Sequence, residues 1–170
     1  MKRAVRYQAA IIQDDQLLLL KVWDHAFSGK TFWVIPGGGR HHNETEEACV
    51  KREVYEETHL HVEIDRLILD EPDTSEGMYQ RAKTYACRII GGDLQPGSEP
   101  EVDTPDRATI THVGWFDLHN PNNWDPLALN DPVTYPMVQR LRAALGYGAE
   151  GSASFKSMML APSDGSRNTL

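Results

Sequence analysis

A chain of 170 residues with 25 acidic and 17 basic side chains, net charge −8, has the length of one domain plus a short extension. The acid excess disfavours general attraction to duplex nucleic acid or to an anionic membrane, and no apolar run approaches the roughly 18 residues of a membrane span. A hydrophobic content of 40 % supports a core, and 25 % charged residues place the chain among soluble globular proteins.

The basic start Met1-Lys2-Arg3 leads into Ala4–Ile12, where Arg6, Tyr7 and Gln8 are too polar for the core of a signal peptide. Ala4–Ile12 is rich in strand formers, and Leu17–Trp23 is a second apolar run. Gln13-Asp14-Asp15-Gln16 between them supplies turn residues, so the pair predicts a hairpin. Thr31–Ile35 predicts a short strand that stops at Pro36. Gly37-Gly38-Gly39 follows, with backbone freedom closed to other residues. A helix is expected next, running to about Thr58. Asn43 is its expected cap, with Glu46 as capping-box partner and Thr45 as the alternative cap. Strands are predicted over His61–Asp70, Met78–Ile90 and Thr109–Leu118, with a loop at Gly91–Pro105 and a closing helix at Pro132–Leu145. These elements predict an α/β domain with a mixed sheet over residues 1–145. From Gly146 to Leu170 the chain turns rich in Gly, Ser and Ala. This is read as a weakly ordered tail, docking through Phe155, Met158, Met159 and Leu160 or serving a homodimer. Cys49 and Cys87 fall in the predicted helix and a strand without ligand-like spacing. That argues against a disulfide or zinc site and for a reducing cytoplasm.

The acidic residues are unevenly spread. Glu44, Glu46, Glu47, Glu53, Glu56 and Glu57 stand against only Lys51 and Arg52 in one short stretch. Such a run is either a solvated helix face or a cation site. Glu53, Glu56 and Glu57 are related by i, i+3 and i+4, so a helix projects all three within an arc of roughly 100°. Their repulsion amounts to roughly a few tenths of a kcal/mol per pair, and Arg52 alone does not balance three carboxylates. A hard divalent cation with a preference for oxygen ligands would.

The spacing sharpens that choice. Gly38, five residues, Glu44, seven residues, then Arg52-Glu53-Val54-Tyr55-Glu56-Glu57-Thr58-His59-Leu60 resembles the Nudix box. His59 is the one departure, standing where the family has glycine. Trp33-Val34-Ile35-Pro36-Gly37-Gly38 before the box and Trp115-Phe116 after it are similar to the family's flanking strands, and the broader likeness runs over about Ala4–Leu145. The resemblance implies a Nudix-like α/β/α sandwich and Mg2+-dependent hydrolysis of a phosphoanhydride bond in a nucleoside diphosphate linked to another moiety, with Mn2+ as a substitute ion. It implies that Glu53, Glu56 and Glu57 ligate the metal, that Arg52 orients these glutamates, and that Glu44 assists the metal shell or stabilises the helix start. Gly37 and Gly38 would let the backbone approach phosphate. Lys21 is read as facing a phosphate or as a solvated lysine. For the general base, Glu53 comes first, with Glu99 and Glu101 of the long loop as the other option. The glycine displaced by His59 is expected to be a left-handed C-cap, a conformation histidine tolerates better than most residues. His59 and His61 are read as surface histidines, Cys49 as core, and Tyr79, Tyr85, Trp33 and Trp124 as packing residues with the chemistry to stack on a base. The Arg40-His41-His42 loop is read as phosphate-reaching or as a solvated turn. The alternative function is a catalytically silent nucleotide-binding module on the same fold.

Overall fold

The computed structural model of the protein describes residues 3–24, 29–72, 79–97 and 108–147. Strands β1 (Arg3–Gln13) and β2 (Gln16–Asp24) form the expected hairpin, with Gln13 opposite Gln16. Asp14 and Asp15 both take positive φ, 51° and 59°, in the two-residue turn. That geometry matches strand twist and suits aspartate better than most residues. β3 (Lys30–Val34) pairs with β2, and β4 (Gly37–Gly39) pairs antiparallel with β1. The glycine run, read from sequence only as a segment of unusual backbone freedom, is therefore a short strand.

β5 (Leu60–Pro72), β6 (Tyr79–Gly92) and β7 (Ala108–Asp117) complete a mixed sheet in which β1 runs parallel to β6 and every other pairing is antiparallel. The spatial order is β3-β2-β1-β6-β5, with β4 beside β1 and β7 beside β2. Alternation along the strands divides the core in two. Ala9, Ile11 and Leu18 face helix α1 (Glu46–Thr58), packing with its Cys49, Val50 and Val54. Ala10, Leu17 and Leu19 face the other layer, where short helix α2 (Pro126–Leu129) and α3 (Thr134–Leu145) supply Ala128, Val138 and Leu141. The result is the α/β/α arrangement. α2 and a 3-10 turn at Pro121–Asn123 occupy what sequence reading left as a connection.

The start of α1 differs from expectation. Thr45, not Asn43, is the cap: its side chain accepts from the Ala48 N–H at 3.1 Å, while Asn43 sits at positive φ in the preceding turn. Glu46 is the first helical residue and turns to the sheet instead of closing a capping box. At the other end His59 is left-handed (φ 59°, ψ 14°) and its N–H closes on the Tyr55 carbonyl. Its ring and that of His61 flank exposed Tyr55, the His61 ring stacked at 4.9 Å. His59→Gly should stabilise the protein by about 0.5–1 kcal/mol, the steric cost of a left-handed side chain less glycine's extra unfolded-state entropy. Urea unfolding measures it, and a neutral or destabilising result would contradict the C-cap argument.

Candidate active site

Helix α1 lies against β4 through its acidic face. Glu57 is 1 % exposed and its Oε2 accepts from the Gly37 N–H at 2.8 Å. Glu53, 6 % exposed, rests on Gly38, where a Cβ would stand only 2.6 Å from Glu53 Oε2. Gly37 has φ 149°, and a Cβ there would come within 2.7 Å of Gln8 Cα on β1. Two side chains that glycine lacks would therefore fill the spaces taken by a carboxylate and by the neighbouring strand. Burying carboxylates this deeply requires compensating hydrogen bonds and positive charge.

Arg52 supplies the charge. Its Nε and Nη2 grip Glu44 at 2.9 and 3.1 Å, its Nη1 reaches Glu53 and Glu56 at 3.0 Å each, and Nη2 also donates to the Gly39 carbonyl at 3.0 Å. Five oxygen contacts match the five N–H hydrogens of a guanidinium, and the fork on Glu44 is the strong bidentate kind. Burial works to lower the Arg52 pKa, but Glu44, Glu53 and Glu56 outweigh it and hold it above the ordinary arginine value. The Arg52 hydrogen bonds in turn hold the Glu44 carboxyl below its usual range. Glu44 also accepts from the His41 N–H at 3.0 Å, so it ties the loop before α1 to the arginine.

The structure thus brings Gly37, Gly38, Glu44, Arg52, Glu53, Glu56 and Glu57 together. Lys21 stands apart. It falls on the Leu17 and Leu19 face of β2, toward α2, and its Nζ pairs with Asp125 at 3.4 Å over the Trp33 ring. Of the residues read as phosphate-facing, Lys21 is therefore the one that strand alternation turns away from α1. Asp125 caps α2, and the Leu127 N–H, Trp33 and Lys21 keep its carboxyl below the usual range. Trp33, Trp124, Tyr79 and Tyr85 are all buried. A cavity of about 410 Å³ beside the start of α2 is lined by Trp33, Phe116, Trp124 and Asp125 among others, but its rings meet edge to face at 4.8 and 5.5 Å and offer no parallel slot. Arg40 lies over the Tyr7 ring at 5.9 Å. Glu99 and Glu101 lie outside the described residues, as does the tail beyond Tyr147. What sequence reading missed is the Gly39 carbonyl, Asp125, and the sheet partners of Glu46; each is a long-range contact with no local pattern to announce it.

Three carboxylates on one arc of a helix have the donor chemistry for a hard divalent cation. As placed, their oxygens face Arg52 and Gly37, and among the described residues no three acidic, histidine or cysteine side chains converge closely enough to hold an ion. No described helix is long and apolar enough to cross a membrane.

A family model described as NUDIX domain matches residues 2–141. The chain belongs to the Nudix family. A MutT-like protein of Streptomyces ambofaciens is 34 % identical over 87 residues, 51 % of this chain and 52 % of the relative. An ADP-ribose pyrophosphatase of Methanocaldococcus jannaschii is 29 % identical over 119 residues, 69 % of this chain and 63 % of that protein. The chain spans between half and two thirds of the length of these curated relatives. A solved ADP-ribose pyrophosphatase from Streptococcus suis superposes with a TM-score of 0.58 at 25 % identity, covering 82 % of this chain and 90 % of that one. The α/β/α layering of this Nudix domain is the fold of that neighbour.

Proposed function

We propose that this Nudix domain hydrolyses a phosphoanhydride bond in a nucleoside diphosphate linked to another moiety, using Mg2+ with Mn2+ as a substitute. The observation that carries the reading is the apposition of Glu53 and Glu57 to the Gly37-Gly38 backbone, with Arg52 holding Glu53 and Glu56. Glu53, Glu56 and Glu57 would hold the ion. When bound, a divalent ion supplies positive charge against the phosphoryl oxygens, inverting the field of the carboxylates. The remaining work belongs to the chain. Gly37 and Gly38, without side chains, let Glu57 and Glu53 lie directly against the β4 backbone, which would fix the two carboxylates beside the ion. Arg52 keeps the glutamates in one arrangement, and Glu44 keeps Arg52 in its own. Glu53 is the group assigned to take the proton from the attacking water. Because phosphoryl transfer is mainly positioning and charge stabilisation, no protein nucleophile is required, and Cys49 is buried in the core. On this reading the substrate is a small nucleotide handled in the cytoplasm, a setting that suits the free and buried Cys49 and Cys87.

The names of two relatives put ADP-ribose first in a substrate panel, followed by nucleotide sugars, dinucleoside polyphosphates, and ordinary and oxidised nucleoside triphosphates. The purified chain should hydrolyse at least one member with Mg2+ or Mn2+, and heavy-oxygen water should label a single phosphorus. Inactivity across the panel with both ions would overturn the reading in favour of a silent nucleotide-binding module.

A further inference from the structure

Helix α1 is fastened to the sheet at a second place, two turns before Glu53. Glu46 accepts from Lys83 Nζ at 2.7 and 2.9 Å and from the Tyr85 hydroxyl, with the Tyr7 hydroxyl at 3.5 Å. Lys83 is the β6 partner of Tyr7, and Tyr7 is the β1 partner of Gly38. One rung across three strands therefore carries Lys83 at one end and Gly38, with Glu53 resting on it, at the other.

The spacings agree. Seven residues of helix bring Glu53 back to within about 20° of Glu46 and about 10.5 Å further along the axis. Two strand spacings, from β6 across β1 to β4, amount to about 9.6 Å. A helix laid along this rung meets both ends with a single face.

We propose that Glu46 is a positioning residue for Glu53 and Glu57. Its contact with Lys83 and Tyr85 sets where α1 stands along the rung, and so how the two carboxylates meet the glycine strand. The consequence for an ion rests on the function proposed above; the geometric part does not. Burial works to raise the Glu46 pKa, but Lys83 and Tyr85 outweigh it and hold the carboxyl below its usual range, so the clamp is charged at neutral pH. Glu46 and Lys83 side chains are 33 % and 22 % exposed, and ion pairs this close to the surface add little to stability. A positional role therefore separates from a stabilising one by experiment.

The variants are Glu46→Ala, Lys83→Met, their combination, and the conservative Glu46→Gln. The first readout is hydrogen exchange of the Gly37 amide, the donor to Glu57, in protein without added metal. Exchange should be several-fold faster in Glu46→Ala and Lys83→Met, no faster in the double variant than in the worse single one, and partly restored in Glu46→Gln. The second is Mn2+ affinity by calorimetry, expected to fall about tenfold, the lower end for loss of a group that orients a metal ligand. With a substrate from the panel, kcat should fall while KM changes little. Unchanged Gly37 exchange and unchanged Mn2+ affinity, with only the melting temperature lowered, would overturn the proposal. Wild-type protein that binds no Mn2+ would instead remove the functional reading, and Gly37 exchange would still decide the clamp.

Discussion

Glu57→Gln should remove nearly all hydrolysis and leave the fold as stable as before or more so. Glu57 is the most deeply buried of the three carboxylates, and its Oε2 takes the Gly37 N–H at 2.8 Å. The glutamine oxygen accepts the same bond, and the shape of the side chain is kept. What disappears is one negative charge, whose burial costs several kcal/mol before compensation. Melting temperature should therefore hold or rise. Hydrolysis should fall by more than the roughly 10–100-fold that follows loss of a mere supporting contact of a metal ligand. Glu57→Ala is the contrasting case, because it orphans a buried N–H at a cost of about 1–3 kcal/mol and lowers stability as well. Steady-state rates, Mn2+ calorimetry and thermal unfolding on the same preparations read all three quantities. A Glu57→Gln protein with a rate within a few-fold of wild type would strip Glu57 of its assignment.

The parts of this molecule that follow from neighbours in sequence are legible in the sequence itself. Asp14-Asp15 between two apolar runs marked the hairpin, and the 3.6-residue period put Glu53, Glu56 and Glu57 on one arc. The left-handed His59 was implied by the glycine that the resembled box has at that position, and the burial of Cys49 followed from its place in the helix pattern. The parts that depend on which strand lies beside which were not legible. Nothing local says that β1 pairs in parallel with β6, yet that pairing brings Lys83 and Tyr85 to Glu46. Without it, Glu46 reads as an ordinary first-turn acid. Lys21 shows the same limit. Its face is fixed by alternation along β2, but knowing which face holds α1 requires the two-layer packing. Asp125 illustrates a further step, since its partners Trp33 and Lys21 lie 92 and 104 residues earlier. The box spacing marks the carboxylates proposed to do the chemistry, whereas the sheet decides which residues support them.

Gly37 and Gly38, adjacent and alike in sequence, should respond to alanine in opposite ways. At Gly37 the backbone has φ 149°, and an added Cβ would stand 2.7 Å from Gln8 Cα, a main-chain atom of β1. Neither can yield without separating β4 from β1, so Gly37→Ala should cost about 1–3 kcal/mol or more, as overpacked and strained sites do. At Gly38 the obstacle is the carboxylate of Glu53, the far end of a side chain with rotatable bonds. The Gly38→Ala protein can fold by turning that carboxylate aside, at a smaller cost in stability. The displaced group is the one assigned to take the proton, and its Arg52 contact at 3.0 Å is lost with the move. Even a misplacement of about 1 Å lowers a rate by about a hundredfold when the reaction depends on positioning. Urea unfolding should therefore single out Gly37→Ala, and kcat should single out Gly38→Ala measured well below its melting temperature. If Gly38→Ala keeps a wild-type rate, the contact between Glu53 and Gly38 has no part in catalysis, and the proton must go to another group.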